Sequence, residues 1–177
     1  MTTRDSDLII YGASSFVGQI MTRYLAEHIG FSGTVKWAIA GRSPSKLNEL
    51  RASLGEVAAN LPIIIADADD VNALAKLCQS TRVIATTVGP YALYGEQMVK
   101  ACAENGTDYC DLCGEAYWIK RMIVKYADAA EQTGARIVSG WGFVCIFSAL
   151  GVHCFLWDAD RRIGEFLTAV KFAVHTL

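Results

Sequence analysis

The sequence predicts an α/β fold built on a doubly wound parallel sheet, and three observations predict it. Apolar runs of strand length recur between residues 8 and 139. Amphipathic stretches with the period of a helix packed on a sheet stand between them in strict alternation. The first run ends in a glycine turn that opens a helix, Leu8-Ile-Ile-Tyr-Gly-Ala-Ser-Ser-Phe-Val-Gly18. Strand, crossover helix and parallel strand repeat with one handedness, so helices cover both faces of the sheet.

In that opening stretch Gly12 and Gly18 are the outer glycines of a loosened dinucleotide fingerprint, with Ser14, Ser15, Phe16 and Val17 between them. A buried strand, a tight turn and a helix N-terminus aim unpaired amides and the helix dipole at one spot, which suits a phosphate. Alone, the two glycines also fit an ordinary strand-to-helix turn. The alternation that follows them supplies the context of a dinucleotide site. Phe16, Val17, Ile20, Met21, Tyr24, Leu25, His28 and Ile29 give the next helix an apolar face for the sheet, with His28 as a core or boundary residue rather than a ligand.

Residues 35–40 form the second strand, and Arg42 and Ser43 follow at its end. In this fold that point lies beside the adenosine ribose, where an acidic residue would accept bonds from both ribose hydroxyls. A guanidinium cannot accept them, but it pairs with a 2′-phosphate and stacks on adenine. Arg42 with Ser43, and with Lys46 nearby, therefore argues for NADP over NAD. Ser43 also reads as an N-cap, with Pro44 as the first helical residue and Leu47, Leu50 and Leu54 as the buried stripe.

Residues 55–60 read as a loop and 61–66 as the third strand, ending at Asp67, which either bonds the adenine amino group or caps the next helix. That helix buries Val71, Leu74, Leu77 and Cys78. The fourth strand, residues 82–88, runs into Gly89-Pro-Tyr91 and Tyr94-Gly-Glu96. Strand carboxyl ends make the ligand crevice of an open parallel sheet, so Gly89, Pro90 and Tyr91 are candidate cofactor contacts. A helix over 95–104 ends at Asn105-Gly106, and the fifth strand, 107–112, leads to Glu115. Glu115 stands where a catalytic carboxylate or a first-turn helix acid would. A long helix over 116–133 and a sixth strand over 135–139 complete the series.

A hydrophobic share of 53% with 19% charged residues excludes a disordered chain. The net charge of -2 gives no electrostatic reason to expect a nucleic acid partner. No apolar run reaches membrane-spanning length, and the polar first residues show no signal or transit peptide. The six cysteines, scattered along buried elements, read as reduced thiols of a cytoplasmic protein. Cys110-Asp-Leu-Cys113 matches C-x-x-C but has no second ligand pair, so no metal site is expected. No Tyr-x-x-x-Lys pair occurs, which excludes a short-chain reductase.

The chain resembles the saccharopine dehydrogenase-like oxidoreductases, a group that includes trans-acting enoyl reductases. The matching segments are Tyr11-Gly-Ala-Ser-Ser-Phe-Val-Gly18, Ala40-Gly-Arg-Ser43, Val88-Gly-Pro-Tyr91 with Tyr94-Gly-Glu96, Asp108-Tyr-Cys-Asp-Leu-Cys-Gly-Glu115, and Gly142-Phe143 before Leu150-Gly-Val152. The resemblance implies an N-terminal Rossmann-type domain that binds NAD(P), followed by an α+β domain that covers the crevice and helps to dimerise. The chain departs from the family at Ser15, which replaces the middle glycine. It departs again over residues 144–147, where Val144 and Phe147 replace an aspartate and a proline. It is also shorter than the family. On this reading residues 1–160 are the cofactor domain, and 161–177, with a strand over 166–175, begin a truncated second domain. The chain is then the NADP-binding part of an enzyme that moves hydride to or from an unidentified small molecule, inactive by itself. The competing reading is a non-catalytic nucleotide-binding or interaction protein that keeps the fold.

Overall fold

The computed structural model describes residues 4–142 and, beyond them, positions 150, 151, 153, 154, 156–158 and 161. The departures at 144–147 and the strand over 166–175 lie outside these residues. Six parallel strands are described: β1 (Ser6–Tyr11), β2 (Trp37–Gly41), β3 (Ile63–Ile65), β4 (Thr81–Thr86), β5 (Asp108–Asp111) and β6 (Ile137–Val138). They lie in the order β3-β2-β1-β4-β5-β6. The connections run outward from β1 to β3, then cross back to β4 and run outward the other way. Strand direction out of the sheet centre therefore reverses between β1 and β4, and a crevice opens at their carboxyl ends.

Strand residues alternate between the two faces, so β1 sends Ile9 and Tyr11 one way and Ile10 the other. Ile10 joins Ile39, Trp37, Leu47 and Leu50 beneath α1 (Phe16–His28) and α2 (Pro44–Ala52). Ile9 and Tyr11 join Leu74, Met98, Val99 and Met122 beneath α3 (Val71–Gln79), α5 (Glu96–Asn105) and α6 (Ala116–Thr133). Both faces of the sheet are thus covered. Register is tight at the centre, where Ile10 stands opposite Ile39 on one side and Ala85 on the other.

Local chemistry sets the element ends. Ser43 caps α2 with Pro44 at its first position, as the sequence predicts. Asp70 takes the cap of α3, its carboxylate accepting from the Ala73 amide at 2.9 Å, so Asp67 is left at the strand end. Gly106 and Gly134 close α5 and α6 in the left-handed conformation. The stretch 55–60 contains a short 3-10 turn, Glu56–Ala58. A four-residue helix, α4 (Tyr91–Tyr94), occupies what reads in the sequence as a turn.

The face of α1 differs from its periodicity. Gly18 and Thr22 are its buried residues, with Met21, Leu25 and Ala26 packed beside the core, whereas Phe16 is 81% exposed and Ile20 and Tyr24 are also exposed. Small residues at 18 and 22 let the helix sit close on the sheet, and Thr22 donates to the Gly18 carbonyl at 2.7 Å. The large apolar residues are thereby turned outward. His28 is exposed as well, its ring stacked on Tyr24 with centroids 4.2 Å apart. No helix among the described residues is long and apolar enough to cross a membrane.

Candidate functional site

The turn after β1 is held by close approach. Gly12 has a φ of 84°, and a Cβ there would lie 2.7 Å from Val88 and 2.9 Å from the Thr87 hydroxyl. A Cβ on Gly18 would lie 2.3 Å from the Gly12 carbonyl oxygen. Both positions therefore require glycine, the first for conformation and space and the second for space alone. Between them Ser15 caps α1, its hydroxyl accepting from the Gly18 amide at 3.0 Å. The same hydroxyl lies 2.8 Å from Thr87 Oγ1, which donates to the Gly12 carbonyl at 2.9 Å. With Ser15 donating to Thr87, every hydroxyl hydrogen in this relay has an acceptor, and the turn is tied to the end of β4.

This turn forms the middle of a cleft of about 310 Å³ at the carboxyl ends of β1, β2 and β4. Of the residues singled out in the sequence, Gly12, Ser14, Ser15, Arg42, Ser43, Asp67 and Gly89 line it. Phe16, Val17 and Gly18 do not line it with side chains. They form the first turn of α1, where the Phe16 and Val17 amides have no acceptor within the helix and the positive end of the helix dipole faces the turn. Arg42 is exposed and makes no ion pair or hydrogen bond among the described residues, so its donors are available. Ser43 lies on its own cap bond to Lys46, and Lys46 joins the cleft wall.

At the β4 end the structure separates two tyrosines. Tyr94 lines the cleft, but Tyr91 is buried and turned into the core, its hydroxyl donating to the Thr86 carbonyl at 3.2 Å. Pro90 is exposed and outside the lining residues. Glu115 is also outside the cleft, and its carboxylate accepts the Tyr91 and Ala92 amides. Six lining residues, Tyr11, Gly41, Ala68, Asp69, Thr87 and Val88, are not among the contacts that the sequence suggests. Tyr11 is a core strand residue, 2% exposed, that also reaches the lining of the cleft. Burial, with Asp67 and then Asp69 adding to it and Arg42 opposing, pushes its ionisation well above the ordinary tyrosine range, so it stays a neutral hydroxyl. Thr87 is recognisable only from its place at a strand end next to the switch in strand order.

Cys110 is half-buried and Cys113 buried at the end of β5. No group of three or more His, Cys, Asp or Glu side chains able to hold a metal ion occurs among the described residues.

Residues 8–138 match the family model described as the saccharopine dehydrogenase NADP binding domain. The chain belongs to that family. NADP is accordingly the dinucleotide of this domain. A trans-acting enoyl reductase of Mycobacterium tuberculosis (strain ATCC 25618 / H37Rv) is 43% identical over 151 residues, covering 85% of this chain and 35% of the relative. A trans-acting enoyl reductase of Mycobacterium ulcerans (strain Agy99) is 41% identical over 150 residues with the same coverage of both chains, 85% and 35%. The chain thus spans little more than a third of the length of these curated relatives. Among solved structures, apo saccharopine dehydrogenase (L-Glu forming) from Saccharomyces cerevisiae superposes with a TM-score of 0.66 at 18% identity, covering 88% of this chain and 32% of that one. An isoflavone reductase superposes with a TM-score of 0.52 at 13% identity, covering 77% and 48%. At these identities the structures bear on the fold of a saccharopine dehydrogenase-type domain and on nothing finer.

Proposed function

We propose that the cleft holds NADP with its pyrophosphate over the turn from Gly12 to Gly18, received by the Phe16 and Val17 amides, with Ser14 and Ser15 alongside. The 2′-phosphate lies on Arg42, with Ser43 and Lys46 beside it, and the adenine lies toward Asp67 and Tyr11. The nicotinamide lies toward Gly89 and Tyr94, which line the cleft, with Pro90 and the buried Tyr91 behind that wall. The observation that carries this reading is Arg42, a cation with no partner among the described residues, in the position where a carboxylate would serve NAD. The bound cofactor supplies hydride, and the chain supplies position and a polar cradle. The domain serves an oxidoreductase acting on a small molecule, in a cytoplasmic protein whose thiols Cys78, Cys102, Cys110 and Cys154 form no disulfide. A homodimer, which the resemblance implies, and the absence of a nucleic acid partner, which the charge favours, belong to the same reading. The non-catalytic alternative rests on Val144 and Phe147, outside the described residues, and no observation within them favours it.

Titration of the chain with NADPH and NADH, followed by nicotinamide fluorescence, tests the proposal. We expect NADPH to bind at least about tenfold more tightly, as loss of one charge-assisted contact would give. Binding of neither nucleotide would end it.

A further inference from the structure

α4 carries one wall of the cleft yet does not hold itself in place. Pro90, at its N-terminal end, supplies no side-chain cap. The Tyr91 amide donates instead to Glu115 Oε1 at 2.8 Å and the Ala92 amide to Oε2 at 3.1 Å. One carboxylate thus receives two successive amides of a helix 23 and 24 residues away in the chain. Glu115 stands at the N-cap position of α6 but makes no side-chain cap bond to α6. Its charge is directed outward to α4.

Three residues further on, Trp118 supports the same element from below. Its ring lies 5.7 Å from that of Tyr91, centroid to centroid. A Cβ on Gly95, where α4 passes into α5, would lie 2.6 Å from Trp118 Cζ2. The first turn of α6 therefore grips α4 at two points, while Gly89 and Tyr94, on either side of the gripped amides, face the cleft.

We infer that Glu115 is a positioning residue that sets the nicotinamide-side wall of the cleft through the backbone of α4, without touching the cofactor. The inference rests on the cofactor reading above. It predicts an effect confined to one half of the ligand, because Arg42, Ser43 and the Gly12 turn make no contact with Glu115 among the hydrogen bonds of the described residues.

Two probes separate the halves: NADPH, and adenosine 2′,5′-bisphosphate, which lacks the nicotinamide. Calorimetric titration of Glu115→Ala should show NADPH weakened by about tenfold, with the bisphosphate within about twofold of wild type. Glu115→Gln keeps one acceptor oxygen and the side-chain shape, so it should recover part of the NADPH affinity and protects the test against a misfolded alanine variant. Parallel losses for both probes, or no loss for either, would overturn the role of Glu115 and leave the cofactor reading standing. A wild-type chain that binds neither probe would overturn both.

Discussion

Gly18 and Ser15 show how closely the turn after β1 is built. A methyl group at 18 would meet the Gly12 carbonyl at 2.3 Å and Ala13 at 2.8 Å, both backbone, so nothing flexible can yield. Gly18→Ala should cost about 2–3 kcal/mol in urea denaturation, the upper range for overpacking, and should abolish NADPH binding. A variant as stable as wild type would contradict the packing described. Ser15 stands where the family's middle glycine is expected, and the structure gives a physical use for it as the cap of α1 and the link to Thr87. Ser15→Ala should lower stability by about 1 kcal/mol, the usual value of a lost N-cap. Of these residues, the glycines are legible from their spacing together with the alternation of strands and helices that follows them. The Ser15 relay is not, because Thr87 is 72 residues away and only the β1–β4 pairing brings it near.

At the scale of elements, helices α5 and α6 are joined at Glu96. Lys125 donates to its Oε1 at 2.7 Å, the Tyr126 hydroxyl donates at 3.0 Å, and Arg121 lies at 3.6 Å. The Lys125 hydrogen bond, ahead of the smaller effect of Tyr126, holds the Glu96 carboxyl below its ordinary range, and the Tyr126 hydroxyl is pushed up to about 12 by burial and by that bond. A depressed folded value means that the contribution is whole above the unfolded glutamate value of about 4.3 and is lost as pH falls through the folded one. Because the groups are partly exposed, Glu96→Gln should cost no more than about 1 kcal/mol at neutral pH. Urea denaturation across the acid range should show the variant losing less stability than wild type as the carboxyl protonates. An unchanged acid limb would contradict the assignment.

Helix α4 belongs to this scale too, and its absence from the sequence reading has a specific cause. Its cap is Glu115, more than twenty positions downstream, and local start signals cannot register a cap from another element. The buried face of α1 departs from its periodicity for a related reason. Periodicity offers a broad apolar face from Phe16 to Ile29, and the close seat created by Gly18 and Thr22 decides that Met21 and Leu25 pack on the core while Phe16, Ile20 and Tyr24 are exposed.

For the whole molecule, alternating strands and helices sufficed to predict parallel pairing and layers on both faces, since right-handed crossovers leave few alternatives. The strand order and the reversal between β1 and β4 then bring the Gly12 turn, Arg42 and Gly89 into one cleft from three separate stretches of chain. That convergence is what turns a weak glycine pair into a site with two distinguishable ends. On the proposed reading Arg42 receives the 2′-phosphate, and the choice between dinucleotides should depend on it. The most direct test is the ratio of NADPH to NADH affinity in wild type and in Arg42→Asp. Replacing the guanidinium by a carboxylate should weaken NADPH by about tenfold to a hundredfold while leaving NADH within about threefold, because only NADPH carries the 2′-phosphate. An unchanged ratio would contradict the placement of that phosphate on Arg42.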